Sequence, residues 1–171
     1  IGDGATVRFE RNKTFDITMA NAVRVRLSEI LIGDNATVYF GYNTFNGEPS
    51  LTTIKFGKNG NYTFAGECFQ GAPLTALNIP ASSTVTFTGD SAFRNCASLV
   101  SVTLPASVTE VRKETFNGCS SLESVVLMGA TSIGENAFNA TTDKTLTIFS
   151  HANGDLSINS KAFANRANVV L

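Results

Sequence analysis

Six phenylalanines mark a phrase that returns along the chain: Phe45, Phe69, Phe93, Phe116, Phe138 and Phe163, at gaps of 24, 24, 23, 22 and 25 residues. An apolar residue stands five or six positions before each one: Phe40, Phe64, Phe87, Val111, Ile133 and Ile158. A leucine follows the first four at the same distance: Leu51, Leu74, Leu99 and Leu122. Alternating apolar pairs come next: Ile54 and Phe56, Leu77 and Ile79, Val102 and Leu104, Val125 and Leu127. Period two is the signature of a strand with one face inward. A repeat of 20–50 residues signals a solenoid, each coil burying its apolar face on its neighbours.

Around each Phe a second spacing appears. Ala92, Phe93, Cys96 and Leu99 fall at i, i+1, i+4 and i+7, the spacing of one helical face. The run is too short for a helix that stands alone. It predicts a short helical or 3-10 segment held between coils. Each coil is then strand, turn, short helical segment and extended return, with parallel pairing between coils. At about 4.8 Å per strand, six coils make a stack about 30 Å long. Pro80 and Pro105 close two strands where no ladder donor is needed.

The ends are less regular. In residues 1–37, Val7-Arg8-Phe9 reads as a strand, and Phe15, Ile17 and Met19 alternate, as do Val23, Val25 and Leu27. A helix over 16–31 competes, because Ile17, Ala20, Val23, Leu27 and Leu31 also share a helical face. The segment reads as a degenerate first coil that caps a solenoid of residues 38–171. After Phe138 the expected leucine is missing, and Leu146 and Ile148 restore the strand late. Gly57-Lys58-Asn59-Gly60-Asn61 reads as a turn and lacks the context of a phosphate loop.

Composition narrows the choice of partner. Only 16% of the 171 residues are charged and the net charge is −1, so no field favours nucleic acid. Polarity comes instead from 20 Thr, 15 Ser and 16 Asn, residues of strands and tight turns. No apolar run is long enough for a membrane-spanning helix, so no direct membrane insertion is expected. The start at Ile1 rather than Met reads as a processed or trimmed end.

Few residues offer chemistry. Three cysteines, an odd number, argue against a disulfide framework. Cys96 and Cys119 share one repeat position, within disulfide reach if stacked, but on the buried face of the segment; two buried thiols are the favoured reading. Cys68 also reads as packing, and without a CxxC pair no metal site is expected. His151 is the sole histidine and sits in a turn-like run. Glu110, Glu114, Glu123 and Glu135 occupy different coil positions, so no acid–base pair for glycoside hydrolysis converges. Asn12, Asn35, Asn61 and Asn139 match the N-glycosylation pattern, which matters only in a eukaryote. No catalytic residue and no cofactor are expected.

The stretch Ala92 to Val111 reads Ala-Phe-x-x-Cys-x-x-Leu-x-x-Val-x-Leu-Pro-x-x-Val-Thr-x-Val. It resembles the BspA-like class of leucine-rich repeats, found in surface and secreted proteins of Bacteroidetes, spirochaetes and some parasitic protists. The resemblance covers about residues 38–171. It implies a right-handed α/β solenoid, rich in β-structure, with a concave parallel sheet and short helical or 3-10 pieces. It also implies a secreted or cell-surface location and adhesion or host-protein binding. The expected role is a non-catalytic interaction module, monomeric, with an extracellular or host protein as partner, or a glycan. A carbohydrate-active or carbohydrate-binding β-solenoid and a structural spacer within a longer surface protein are the competing readings.

Alternation assigns the working face. Thr53, Lys55, Asn78, Ser101, Thr103, Ser124, Val126 and Thr147 point outward, with Ala76 among them. The face is small and hydroxyl-rich, with one Lys and no aromatic anchor. Such a surface predicts weak, broad contact strengthened by avidity.

Overall fold

The computed structural model describes residues 5–9, 14–17, 27–151 and 155–171. Fifteen short strands follow one another among these residues. They are β1 (Ala5–Phe9), β2 (Thr14–Ile17), β3 (Leu27–Ile32), β4 (Thr37–Phe40), β5 (Thr53–Lys55), β6 (Asn61–Phe64), β7 (Ala76–Asn78) and β8 (Thr84–Phe87). Then come β9 (Ser101–Leu104), β10 (Glu110–Val111), β11 (Ser124–Leu127), β12 (Ser132–Ile133), β13 (Thr142–Ser150), β14 (Ser157–Ile158) and β15 (Arg166–Val170). Every pairing is parallel, and each strand pairs with the next but one, except at two breaks, between β5 and β7 and between β8 and β10. That is a parallel β-solenoid. Odd strands line one face, as β1-β3-β5 and then β7-β9-β11-β13-β15. Even strands line the other, as β2-β4-β6-β8 and then β10-β12-β14.

The phenylalanine repeat becomes a column of stacked rings. Successive centroids from Phe45 to Phe163 lie 5.1, 5.4, 5.7, 5.5 and 5.8 Å apart, with interplanar angles of 14° or less. A second, shorter column runs Phe40, Phe64, Phe87. The two meet edge to face, as at Phe64 and Phe93 with 5.3 Å between centroids. Both arrangements suit the ring quadrupole. Leu51, Leu74, Leu99 and Leu122 are fully buried beside them, as are the inward pairs except Phe56, which is half-buried.

Two expectations fail, for one physical reason each. There is no helix among the described residues, so the helical or 3-10 segments, and with them the α/β label, are corrected to chained turns. Within a segment, alternate amides close short turns, as Thr44 N–H to Gly41 O and Glu48 N–H to Phe45 O. The intervening amides donate to the next coil: Asn43 to Gly66 O, Phe45 to Cys68 O and Gly47 to Gln70 O. Glu114, Phe116 and Gly118 repeat this toward Glu135, Ala137 and Asn139. A donor spent on the next coil cannot reach back four residues. Left-handed residues four apart, such as Glu67 and Gly71 or Glu114 and Gly118, interrupt any right-handed turn. The competing helix over 16–31 is corrected too, because Asp16 and Ile17 lie in β2 and Leu27 to Leu31 in β3. Residues 18–26, with Met19, Val23 and Val25, lie outside the described residues.

The irregular coil after Phe138 is completed from the next coil. Arg166 stands three residues after Phe163, as Cys96 and Cys119 stand after Phe93 and Phe116. Those thiols donate to Phe69 O at 3.2 Å and Phe93 O at 3.3 Å. Arg166 Nε likewise donates to Phe138 O at 2.9 Å, and its guanidinium runs on to Leu122 O at 3.1 Å and Cys119 O at 2.9 Å. One cation thus satisfies three carbonyls across the coil that lacks its leucine. Charged hydrogen bonds contribute about 1.5–3 kcal/mol each, partly offset by solvent at a half-buried site. Arg166→Ala should therefore lower stability by about 2–3 kcal/mol in a denaturant titration. A change below about 0.5 kcal/mol, the size of an ordinary surface substitution, would assign Arg166 no such role.

Cys68, Cys96 and Cys119 are free and buried, as the repeat position implied. Burial pushes the Cys96 thiol up to about 12. Thiolate is the reactive form. All three should resist a soluble thiol reagent in the native protein and label fully in denaturant. Fast labelling without denaturant would place them at the surface.

Candidate functional site

The outward positions of the odd strands fall into two rows. Ala76, Ser101, Ser124, Thr147 and Val170 form one, through the register of β7, β9, β11, β13 and β15. Asn78, Thr103, Val126 and Phe149 form the other. Thr53 and Lys55 sit on β5, beside Glu29 and Leu31 of β3. The eight residues assigned from alternation therefore all lie on odd strands, Thr53 and Lys55 on the β1-β3-β5 sheet and the other six on the β7-β9-β11-β13-β15 sheet. Lys55 and Asn78 are exposed; Thr53, Ser101, Thr103, Ser124, Val126 and Thr147 are half-buried by their neighbours across the strands.

One feature of the face differs from expectation. The outward residues expected from alternation end at Thr147 and include no aromatic. The structure places Phe149 outward, 52% exposed, directly beside Val126. Period two carries this signal already, since Phe149 follows the inward Ile148. The second row thus grades from Asn78 through Thr103 to an apolar end at Val126 and Phe149.

A cleft opens at the other end of the face. Between β5 and β7 the ladder is interrupted, and Thr75 N–H to Thr52 O at 3.2 Å joins the two coils at the base. Beyond it a cleft of about 320 Å³ forms, lined by Thr52, Thr53, Lys55, Phe56 and Asn78 among others. The even-strand face has its own break, between β8 and β10. There Ser107 Oγ accepts from Val85 N–H at 2.8 Å and fills part of the gap.

Charge lies mostly off these rows. Lys55 pairs with Glu29 at 2.7 Å. Glu114 takes Arg94 at 2.9 Å, and Glu110 approaches Arg112 at 3.9 Å. Arg112 also donates to Asp90 at 3.1 Å, and Glu123 accepts from Lys144. Glu135 sits between Lys113 at 3.2 Å and Lys161 at 3.4 Å, and hydrogen bonding from Lys113 holds it below the usual carboxylate range. Each of the four glutamates has a basic partner, and Glu114 and Glu135 are neighbours on adjacent coils, Glu114 N–H donating to Glu135 O at 3.0 Å. His151 is exposed, with its backbone N–H on Leu127 O at 2.9 Å. No three His, Cys, Asp or Glu side chains among the described residues group as metal ligands. Of the glycosylation-pattern asparagines, Asn35 and Asn61 are exposed, Asn139 is half-buried, and Asn12 lies outside the described residues. No helix among the described residues is long and apolar enough to cross a membrane.

A family model described as the BspA type leucine-rich repeat region matches residues 38–170, in six copies. Among solved structures, a leucine-rich repeat protein of T. pallidum is similar at 24% identity with a TM-score of 0.63. That match spans 87% of this chain and 74% of the T. pallidum chain, and it speaks for the fold alone. No curated protein matches the chain.

Proposed function

This chain belongs to the BspA-type leucine-rich repeat family, and on that premise we propose that it is a non-catalytic interaction module holding an extracellular or host protein on its odd-strand face. The observation that carries the reading is Phe149. It stands exposed beside Val126 at the end of a broad row of small hydroxylated residues. Interface energy concentrates in a few large anchors surrounded by near-neutral contacts. Here Phe149 is the anchor, and Ser101, Thr103, Ser124 and Thr147 form the accommodating surround. Glutamates each held by a base favour binding over acid–base catalysis. A secreted or cell-surface location belongs to the same proposal and rests on the family. So does a monomeric module whose affinity grows by display in many copies.

The test is an array of extracellular proteins probed with the purified chain. The triple variant Ser101→Arg, Thr103→Arg and Ser124→Arg should fold, because these side chains point away from the core. Phe149→Ser should fold for the same reason. Either variant should weaken a captured protein at least about tenfold, the loss expected of an anchor worth over 1.4 kcal/mol. Unchanged capture by both folded variants would move the site off this face.

A further inference from the structure

We propose that the cleft between β5 and β7 is a subsite for a neutral saccharide. The proposal rests on the reading of the odd-strand face as the working surface. The cleft exists because two neighbouring coils part after a single backbone hydrogen bond, Thr75 N–H to Thr52 O. Its volume, about 320 Å³, lies at the lower end of the range for small-molecule pockets, about 300–1,000 Å³. Its walls are three residues long on each side, Thr53–Lys55 and Ala76–Asn78. A peptide strand typically needs about five or six residues of edge. The space therefore suits a compact ligand.

The lining chooses the chemistry. Thr52 and Thr53 bring hydroxyls to the cleft, 3.5 Å from each other; Thr52 Oγ1 donates to Ser28 O at 3.4 Å and keeps its lone pairs as acceptors. The Asn78 carboxamide is exposed, has no hydrogen-bond partner among the described residues, and offers two donors and an acceptor. Phe56 supplies one apolar wall; its half-buried ring is braced edge-on by Tyr62 at 5.0 Å. Mixed donors and acceptors facing a single ring match a sugar, whose hydroxyls need both and whose C–H face is apolar. The one cation at the cleft, Lys55, is paired with Glu29 at 2.7 Å. With that charge compensated, an anionic ligand gains no special attraction, and a neutral one meets no uncompensated field. The break on the opposite face leaves a cleft half that size, about 160 Å³; Ser107 bridges it, and Arg112 at its rim is drawn to Asp90.

The experiment titrates the whole isotope-labelled chain with glucose, galactose and N-acetylglucosamine, following backbone amide resonances. At least one sugar should give saturable shifts confined to Thr52, Thr53, Lys55, Phe56, Ala76 and Asn78. Asn78→Ala should weaken that response at least tenfold with an unchanged melting temperature. Ala76→Phe, which fills the cleft, should abolish it. Triglycine and glucuronate serve as the peptide and anion probes. No saturable shift at the cleft with any neutral sugar overturns the proposal, as does a stronger response there to triglycine or glucuronate. Phe149→Ser should leave the sugar response intact. A sugar response without any effect of Phe149→Ser or the arginine variants on captured protein would sink the protein-binding reading alone. Protein capture sensitive to Phe149 without a sugar response would sink the cleft alone.

Discussion

Phe116→Ala is expected to cost roughly 3–5 kcal/mol of folding stability, the range for truncating a fully buried aromatic. Phe116 has no exposed surface and lies between Phe93 at 5.7 Å and Phe138 at 5.5 Å, its ring nearly parallel to both. Truncation removes both stacking partners' contacts at once. It also opens a void in the middle of the stack, where repeat-to-repeat interfaces carry much of a solenoid's stability. The turn around it cannot slide to fill the gap. Phe116 N–H is held by Ala137 O, and Glu114 and Gly118 are held by Glu135 and Asn139 on either side. A chemical denaturation curve reads the loss. A value under about 1 kcal/mol would mean that the column is not a packed core.

Alkali should unfold the protein more completely than any single substitution. Cys96 and Tyr62, both driven by burial, are each pushed up to about 12, from ordinary values of 9.0 and 10.0. Burial also raises Cys68 and Cys119. Each group is an acid whose native form stays protonated while its unfolded form ionises. Its stabilising contribution is complete below the unfolded value and is lost as pH climbs toward the native one. The window therefore opens near pH 9 for the thiols and near pH 10 for Tyr62, and closes near pH 12. For Cys96 the rise from 9.0 to about 12 amounts to roughly 4 kcal/mol. The other three groups act in the same direction, and a loss of that size is already large against a domain stability of about 5–15 kcal/mol. A dichroism titration should show cooperative loss of sheet inside that window. Tyr62 is one of three tyrosines, and a Tyr62→Phe variant isolates its signal by difference. The tyrosinate signal of Tyr62 should appear only with unfolding. Its ionisation near pH 10 in a folded protein would contradict the burial of Tyr62.

The candidate face was readable almost to its end before any coordinates. A side chain two residues from an inward Val102 or Val125 is inward too, and the one between them is outward, because the strand has a period of two. That rule placed Ser101, Thr103, Ser124, Val126 and Thr147, and extends to Phe149. The Phe column was readable for a related reason. Every coil must bury the same position on its neighbours, so the repeat in burial is a repeat in sequence.

What the tertiary structure decided turns on partners more than twenty residues away. The spacing of Ala92, Phe93, Cys96 and Leu99 suits a helical turn and a pair of chained turns equally. Only the destination of the Phe93 and Asn95 amides, Thr115 O and Asn117 O on the next coil, separates the two. Arg166 looks like an ordinary strand cation until its guanidinium is followed to Phe138, Leu122 and Cys119. The cleft beside Asn78 is least local of all. Thr53–Lys55 and Ala76–Asn78 each read as good strand, and whether two good strands pair or part depends on how the coils beneath them stack.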